Sequence, residues 1–190
     1  MIKYLTHYYK KESTPFQSIS KLPKKKAIQI MNKLYEDNAM WGRFKNPEQY
    51  LQERKKTELW LRKEFKSKGG CPQEKYPIYM IVEECNAIEK NMKEENIEKI
   101  KIPISHFNEK VVSFTYIDSM FSYRLAQDES SEYYKPKYHG KVFTLSEIFS
   151  MIKNKGLPTN KEWWGDLPDD FLPYIEAQVW NHKLVRKYIN

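Results

Sequence analysis

Near the C-terminus, Tyr174-Ile175-Glu176-Ala177-Gln178-Val179-Trp180 combines residue types and spacing suited to chemistry. Strand alternation sets Ile175, Ala177 and Val179 on one face and Glu176, Gln178 and Trp180 on the other. The first is a core face. The second puts a carboxylate, an amide and an indole in a row, which suits the wall of a cleft. There Glu176 would act as a base or orient a hydroxyl; its plainer duty is that of a solvent-face carboxylate neutralised by a nearby Lys or Arg. A second segment, Ser113-Phe114-Thr115-Tyr116-Ile117-Asp118-Ser119-Met120, behaves similarly. Val112, Phe114 and Tyr116 share one face, and Ser113 and Thr115 share the other. Asp118 and Ser119 then cap the next turn or helix, or line a polar pocket at the strand end. His7 stands among aromatics in an N-terminal strand, where packing is its ordinary role. Trp163-Trp164 reads first as cover for the core, then as a lid or stacking platform.

These residues need a scaffold, and periodicity supplies one. Strands are predicted at 4–9, 76–83, 97–104, 111–117, 140–143 and 174–180, from alternation and Val/Ile/Tyr content. A helix over about 22–36 carries Ala27, Ile30, Met31 and Leu34 as a stripe behind Pro23. A second, at 47–67, opens on Asn46-Pro47, ends at Gly69-Gly70, and offers Glu58–Arg62 and Glu64–Lys68 as i, i+4 pairs. Thr144-Leu145-Ser146-Glu147 spells a capping box for a helix that stops at Gly156. A short helix is expected between Glu83 and Glu98, a loop at 128–137, an ordered loop over 157–172, and a short closing helix from Lys183. The stripes of the 22–36 and 145–155 helices are expected to cover the apolar face of the late strand. The fold class is α+β: a mostly antiparallel or mixed sheet with two N-terminal helices and one C-terminal helix packed on it, in a single domain over 1–190.

Composition narrows the function classes. Apolar residues make up 40% and aromatics 15%, enough for a substantial core. Mean hydropathy is −0.81, and no apolar run nears the roughly 18 residues of a membrane span. The N-terminus has no signal-peptide pattern, so the expectation is a cytoplasmic protein. Cys71 and Cys85 form no CxxC, and the four histidines have no metal-site spacing, so no metal is expected. Walker, Gly-rich phosphate-loop and nucleophile-elbow motifs are absent. Residues 1–70 hold 17 Lys/Arg against 7 Asp/Glu, whereas the rest holds 16 against 18. The basic third includes Lys24, Lys25 and Lys26 in the first turn of a helix, where the macrodipole disfavours cations. They suggest an anionic partner, a nucleic acid or polyanionic ligand; a solvated Lys-rich surface is the plainer account.

Much of the chain resembles an uncharacterised family of small bacterial proteins. The likeness rests on Pro15-Phe16, Leu22-Pro23, Arg43 with Pro47 and Tyr50, Trp60-Leu61 with Gly69-Gly70, Ser113 to Met120, Gly140 to Phe143 and Tyr174 to Trp180. It brings no activity with it. His7, Tyr116 and Glu176, in that order, also resemble the His-Tyr-Glu class of the ADP-ribosyltransferase fold, as does the tail Leu184-Val185 and Tyr188-Ile189. His7 is followed by Tyr8 rather than the Gly often seen there. That resemblance implies that His7 holds the nicotinamide ribose of NAD, Tyr116 stacks the nicotinamide, and Glu176 binds the ribose and assists transfer. The leading expectation is a non-enzymatic binding or regulatory module with a basic helical face and no cofactor. The NAD-dependent transferase is the alternative, and a structural protein pairing through a sheet edge or Trp163-Trp164 is the third.

Overall fold

A computed structural model describes residues 2–37, 39–91, 97–158 and 174–189. Five strands, β1 (Tyr4–Lys10), β2 (Ile78–Val82), β3 (Ile97–Pro103), β4 (Val112–Tyr116) and β5 (Ile175–Val179), form one sheet in the order β3-β1-β2-β5-β4. Every neighbouring pair is antiparallel. The helices are α1 (Lys24–Asp37), α2 (Pro47–Ser67), α3 (Asn86–Asn91), α4 (Ser119–Leu125), α5 (Leu145–Lys155) and α6 (His182–Arg186). The α+β class and the antiparallel sheet are as the sequence implied. Among the described residues no helix is long and apolar enough to cross a membrane.

Register decides what each face of the sheet is for. Ala177 lies opposite both Met80 and Phe114, Val179 opposite Ile78 and Val112, and Leu5 opposite Val82 and Ile102. These apolar positions form the main core, closed over by Ile148 and Ile152 of α5 and Val185 of α6. The other face carries Thr6, Tyr79, Ile81, Ser113, Thr115, Glu176 and Gln178. There Leu61 and Phe65 of α2 pack on Trp180, and Ile88 of α3 packs with Ile81 and Cys85. The sheet therefore has helical cover on both sides.

Local signals explain most element ends. Thr144 and Glu147 make both hydrogen bonds of the capping box, and α5 ends at Gly156 with φ 80°. Pro47 occupies the first turn of α2, and Gly69, at φ 86°, turns the chain out of it. Asn46 sits at the N-cap position without a side-chain cap bond; its amide donates to Gln49 instead. Expected strand 140–143 is reduced to one bridge, Phe143 to Phe114. The α1 stripe does not reach the sheet, contrary to expectation. Ala27 and Met31 bury against Phe44 and Leu51, so α1 packs on α2 and on the 3-10 segment Ala39–Phe44. Both expected ion pairs on α2 are replaced. Glu58 takes Arg54 at 3.1 Å, and Lys68 takes Glu147 at 2.7 Å. Arg62 turns to the carbonyls of Pro72 and Glu74.

Candidate functional site

The polar face of β5 is a chain of directed hydrogen bonds. Trp180 donates its indole N–H to Ser113 Oγ at 2.9 Å, and Ser113 donates to Gln178 Oε1 at 2.9 Å. Gln178 Nε2 donates to Thr115 Oγ1 at 2.9 Å and to Glu176 Oε1 at 3.0 Å. Thr115 in turn donates to the Ile117 carbonyl. An indole N–H has no acceptor capacity, and a carbonyl has no donor. Both ends therefore fix the amide of Gln178 with its NH2 toward Glu176. The Ser119 backbone N–H also donates to Glu176 Oε1, at 3.3 Å. With Oε1 accepting two bonds, Oε2 is the oxygen left to carry a proton.

Glu176 is 7% exposed and lines a cavity of about 270 Å3 together with Thr6, Tyr79, Ile81, Ser119 and Tyr174. No hydrogen bond engages its Oε2 among the described residues. Burial, then the neighbouring charge of Asp118, pushes the Glu176 carboxyl up to about 8; the bonds from Ser119 and Gln178 and the charge of Arg54 oppose this. At neutral pH the group is therefore largely an acid holding its proton. Arg43, Tyr50, Asp118, Met120 and Tyr174 line both this cavity and an adjoining cleft of about 1110 Å3. Lys45, Glu53 and Arg124 line the cleft further out.

One wall comes from α2, which contributes Tyr50 and Arg54; Glu58 follows at i, i+4 on the same helix face, outside the cavity lining. Arg54 donates to Tyr50 Oη and Glu58 Oε1, each at 3.1 Å, and its guanidinium lies 4.5 Å from the centre of the Tyr79 ring. Tyr79 donates to the same Glu58 oxygen at 3.2 Å. Glu58 is fully buried, and its Oε2 has no partner among the described residues. Burial works against the Arg54 charge, but Tyr50, Glu58 and Tyr79 outweigh it and raise its pKa. Burial raises the phenols of Tyr79 and Tyr174.

The expected site residues divide by location. Glu176, Asp118 and Ser119 meet at the cavity. Asp118 also caps α4 by accepting from the Phe121 N–H at 2.9 Å, so it fills the capping role and borders the pocket. Ser113, Thr115, Gln178 and Trp180, expected along a cleft wall, are instead sealed from solvent and bonded to one another, because α2 lies over them. His7 borders the cavity, but both ring nitrogens are engaged. Nδ1–H donates to the Tyr79 carbonyl, and Nε2 accepts from the Phe16 N–H, each at 2.9 Å. The β1–β2 ladder pairs Leu5 and Thr6 and no residue beyond, so His7 substitutes for the next rung. Its pKa falls to about 4 through burial. Tyr116 faces the opposite, apolar side, stacked 4.5 Å from Tyr138. The arrangement implied by the ADP-ribosyltransferase resemblance is thus not assembled: alternation turns Tyr116 away, and His7 is committed to backbone.

Lys24, Lys25 and Lys26 lie exposed at the start of α1, away from the cavity, and Lys24 pairs with Glu48 at 3.0 Å. The Trp163-Trp164 loop falls outside the described residues. Sequence reasoning did not single out Tyr50, Arg54, Glu58, Tyr79 or Tyr174 as site residues. The usable signal was the polar i, i+4 series on α2, set on a helix otherwise read for its apolar stripe. Among the described residues no cluster of His, Cys, Asp and Glu suits a metal ion. Comparison with protein-family models, curated proteins and solved structures finds no match to this chain.

Proposed function

We propose that the protein is an acid–base enzyme acting on a small hydroxylated substrate that carries an anionic group. Glu176, which lines the cavity, is the proton donor. The observation that carries this reading is the division of labour within one carboxyl that lines the cavity: Oε1 is held by two donors, and Oε2 is left without a hydrogen bond among the described residues, in a buried setting that retains a proton at neutral pH. A buried acid of this kind delivers its proton to a leaving oxygen or nitrogen and can take one back from water in the following step. Arg43, which reaches solvent, and Lys45 and Arg124 farther out give the mouth cations for a phosphate or carboxylate. A dinucleotide such as NAD is one member of this substrate class.

The test is a thermal-shift panel of nucleotides, NAD, sugar phosphates and unphosphorylated sugars, followed by turnover of whichever compound stabilises the fold. Glu176→Gln is expected to retain binding and lose at least about 100-fold in turnover. Undiminished turnover in that variant would remove Glu176 from the mechanism.

A second reading rests on a separate observation. The first turn of α1 presents Lys24, Lys25 and Lys26 to solvent with no acidic residue among them. This suits a surface contact with nucleic acid or another polyanion. Oligonucleotide binding that weakens steeply from about 50 to 200 mM salt, and weakens again on replacing the three lysines by Ala, is the expected result. Binding indifferent to both would exclude it.

A further inference from the structure

The cavity is lined by two carboxylates, Asp118 and Glu176, and two guanidinium groups, Arg43 and Arg54, and a further buried carboxylate, Glu58, bonds Arg54 without lining the cavity. Arg54 lies near both Glu58 and Glu176, yet its hydrogen bond goes to Glu58, with Tyr50 and the Tyr79 ring holding the rest of the group in place. Glu58 cannot reach water, and Tyr79 adds a second donor to the oxygen that Arg54 binds. Arg54 is thereby fixed along α2. At Glu176 its influence is weaker than that of burial, Asp118 or the two hydrogen bonds to Oε1.

The other groups around Glu176 do not alter this allocation. Asp118, at the head of α4, adds negative charge. Tyr8, from β1, is spent on Glu89 of α3 at 2.7 Å. Tyr174 and Tyr79 are buried phenols with raised pKa values. Arg43, from the segment before α2, lies at the shared wall with Asp118 and Tyr50.

We infer that Glu58 is the positioning residue of this site: it holds the Arg54 guanidinium on α2, engaged with Glu58 and Tyr50 rather than with Glu176. The inference rests on the acid role proposed for Glu176, but its test requires no substrate. Glu58 and Arg54 together contribute no net charge to the wall, whereas either alone leaves an unbalanced ion beside Glu176. The two residues should therefore move the Glu176 proton in opposite directions, and removing both should cancel.

The experiment is a carboxyl-carbon NMR titration of protein labelled at glutamate Cδ, with the Glu176 signal assigned by its loss in Glu176→Gln. Wild-type Glu176 is expected to titrate near 8. Glu58→Gln should lower that midpoint by about 1 pH unit, the low end of what a nearby opposite charge does, since Arg54 is the weakest of the named influences on Glu176. Arg54→Gln should raise it, and the double variant should return it toward the wild-type value. Glu58→Gln is the deciding variant; if it fails to fold, Glu58→Asp, which keeps the charge but shortens its reach to Arg54, takes its place and should shift the midpoint in the same direction, and an unmoved midpoint there overturns the inference. A midpoint unmoved by Glu58→Gln, or one raised by Arg54→Gln in a protein indifferent to Glu58→Gln, would show that Arg54 serves Glu176 directly and overturn the inference. A wild-type midpoint in the ordinary carboxylate range would overturn the acid role as well. A wild-type midpoint near 8 with no response to Glu58 leaves the acid role standing and removes this proposal alone.

Discussion

Replacing Glu176 by Gln should change how stability depends on pH, in a direction opposite to the usual loss of a carboxylate. Gln is close in shape to a protonated Glu. Its amide oxygen can keep the bonds from Ser119 N–H and Gln178 Nε2, with the amide nitrogen toward the cavity. In the wild type the folded chain holds a proton on Glu176 up to about pH 8, whereas an unfolded glutamate releases it near 4.5. Between those values the folded state binds more protons, so stability falls as pH rises, and it levels off above both. At about 1.4 kcal/mol per pH unit the whole displacement is worth at most ~5 kcal/mol. The interval from pH 6.5 upward carries roughly 2 kcal/mol of it; His7, His139 and His182, all lowered by burial, are still half-protonated at pH 6.5 in the unfolded chain, but they contribute equally to both proteins and cancel in the comparison. Urea unfolding of both proteins at half-unit steps from pH 6.5 to 9 is the assay. Across that range the wild type should lose about 2 kcal/mol relative to Glu176→Gln, so the variant gains on it steadily toward pH 9. Parallel curves over that range would refute the argument, because Glu176 would then have no raised midpoint.

Four other substitutions probe the frame around the site. Below pH 6.5, burial of neutral His7 and His139 makes stability fall with falling pH, since the unfolded imidazoles gain protons that the folded ones resist until about pH 4. His7→Gln should remove up to ~3 kcal/mol of that slope in acid-unfolding curves; an unchanged slope would contradict it. Trp180→Phe deletes the donor to Ser113 Oγ in a sealed setting and should cost about 1–3 kcal/mol in urea unfolding. Gly140 holds φ 67°, and a Cβ there would come within 2.4 Å of Ala126 Cβ. Gly140→Ala should therefore cost about 2–4 kcal/mol, and a loss under ~1 kcal/mol would mean that the turn is free to shift. Thr144→Ala breaks the capping box of α5 and should lower stability by about 1 kcal/mol without disturbing the Glu176 titration.

The fold was legible wherever one physical signal dominated. Strand β5 was readable from two-residue alternation, α5 from its capping box and Gly156, and α2 from Pro47 and the Gly69-Gly70 end. The packing partner of a stripe was not legible: Ala27 and Met31 require an apolar neighbour, and Leu51 and Phe44 satisfy that requirement as well as a sheet would. The site was legible in part for the same reason. Glu176, Asp118 and Ser119 lie at strand and helix ends whose positions local sequence predicts. Arg54 and Glu58 lie mid-helix, and their burial depends on where α2 crosses the sheet, which is tertiary information. Arg62 was an equally good local partner for Glu58, and only the fold selects Arg54.

The buried ladder of β5 also explains why so polar a strand face lies beneath a helix. Trp180, Ser113, Gln178 and Thr115 each have a partner, so burying them leaves none of these side chains with the cost of an unmatched group. Apolar residues would fill the same space, but they would not orient Glu176. Donation from Gln178 and Ser119 into Oε1 makes one oxygen a permanent acceptor and confines the proton to the other. The ladder thus supplies an asymmetric carboxyl, α2 supplies a cation engaged elsewhere, and Asp118 supplies the nearby negative charge. Disturbing any one of these should alter the proton on Glu176, whereas the apolar core on the opposite face, centred on Ala177 and Phe114, governs stability and leaves that proton unchanged.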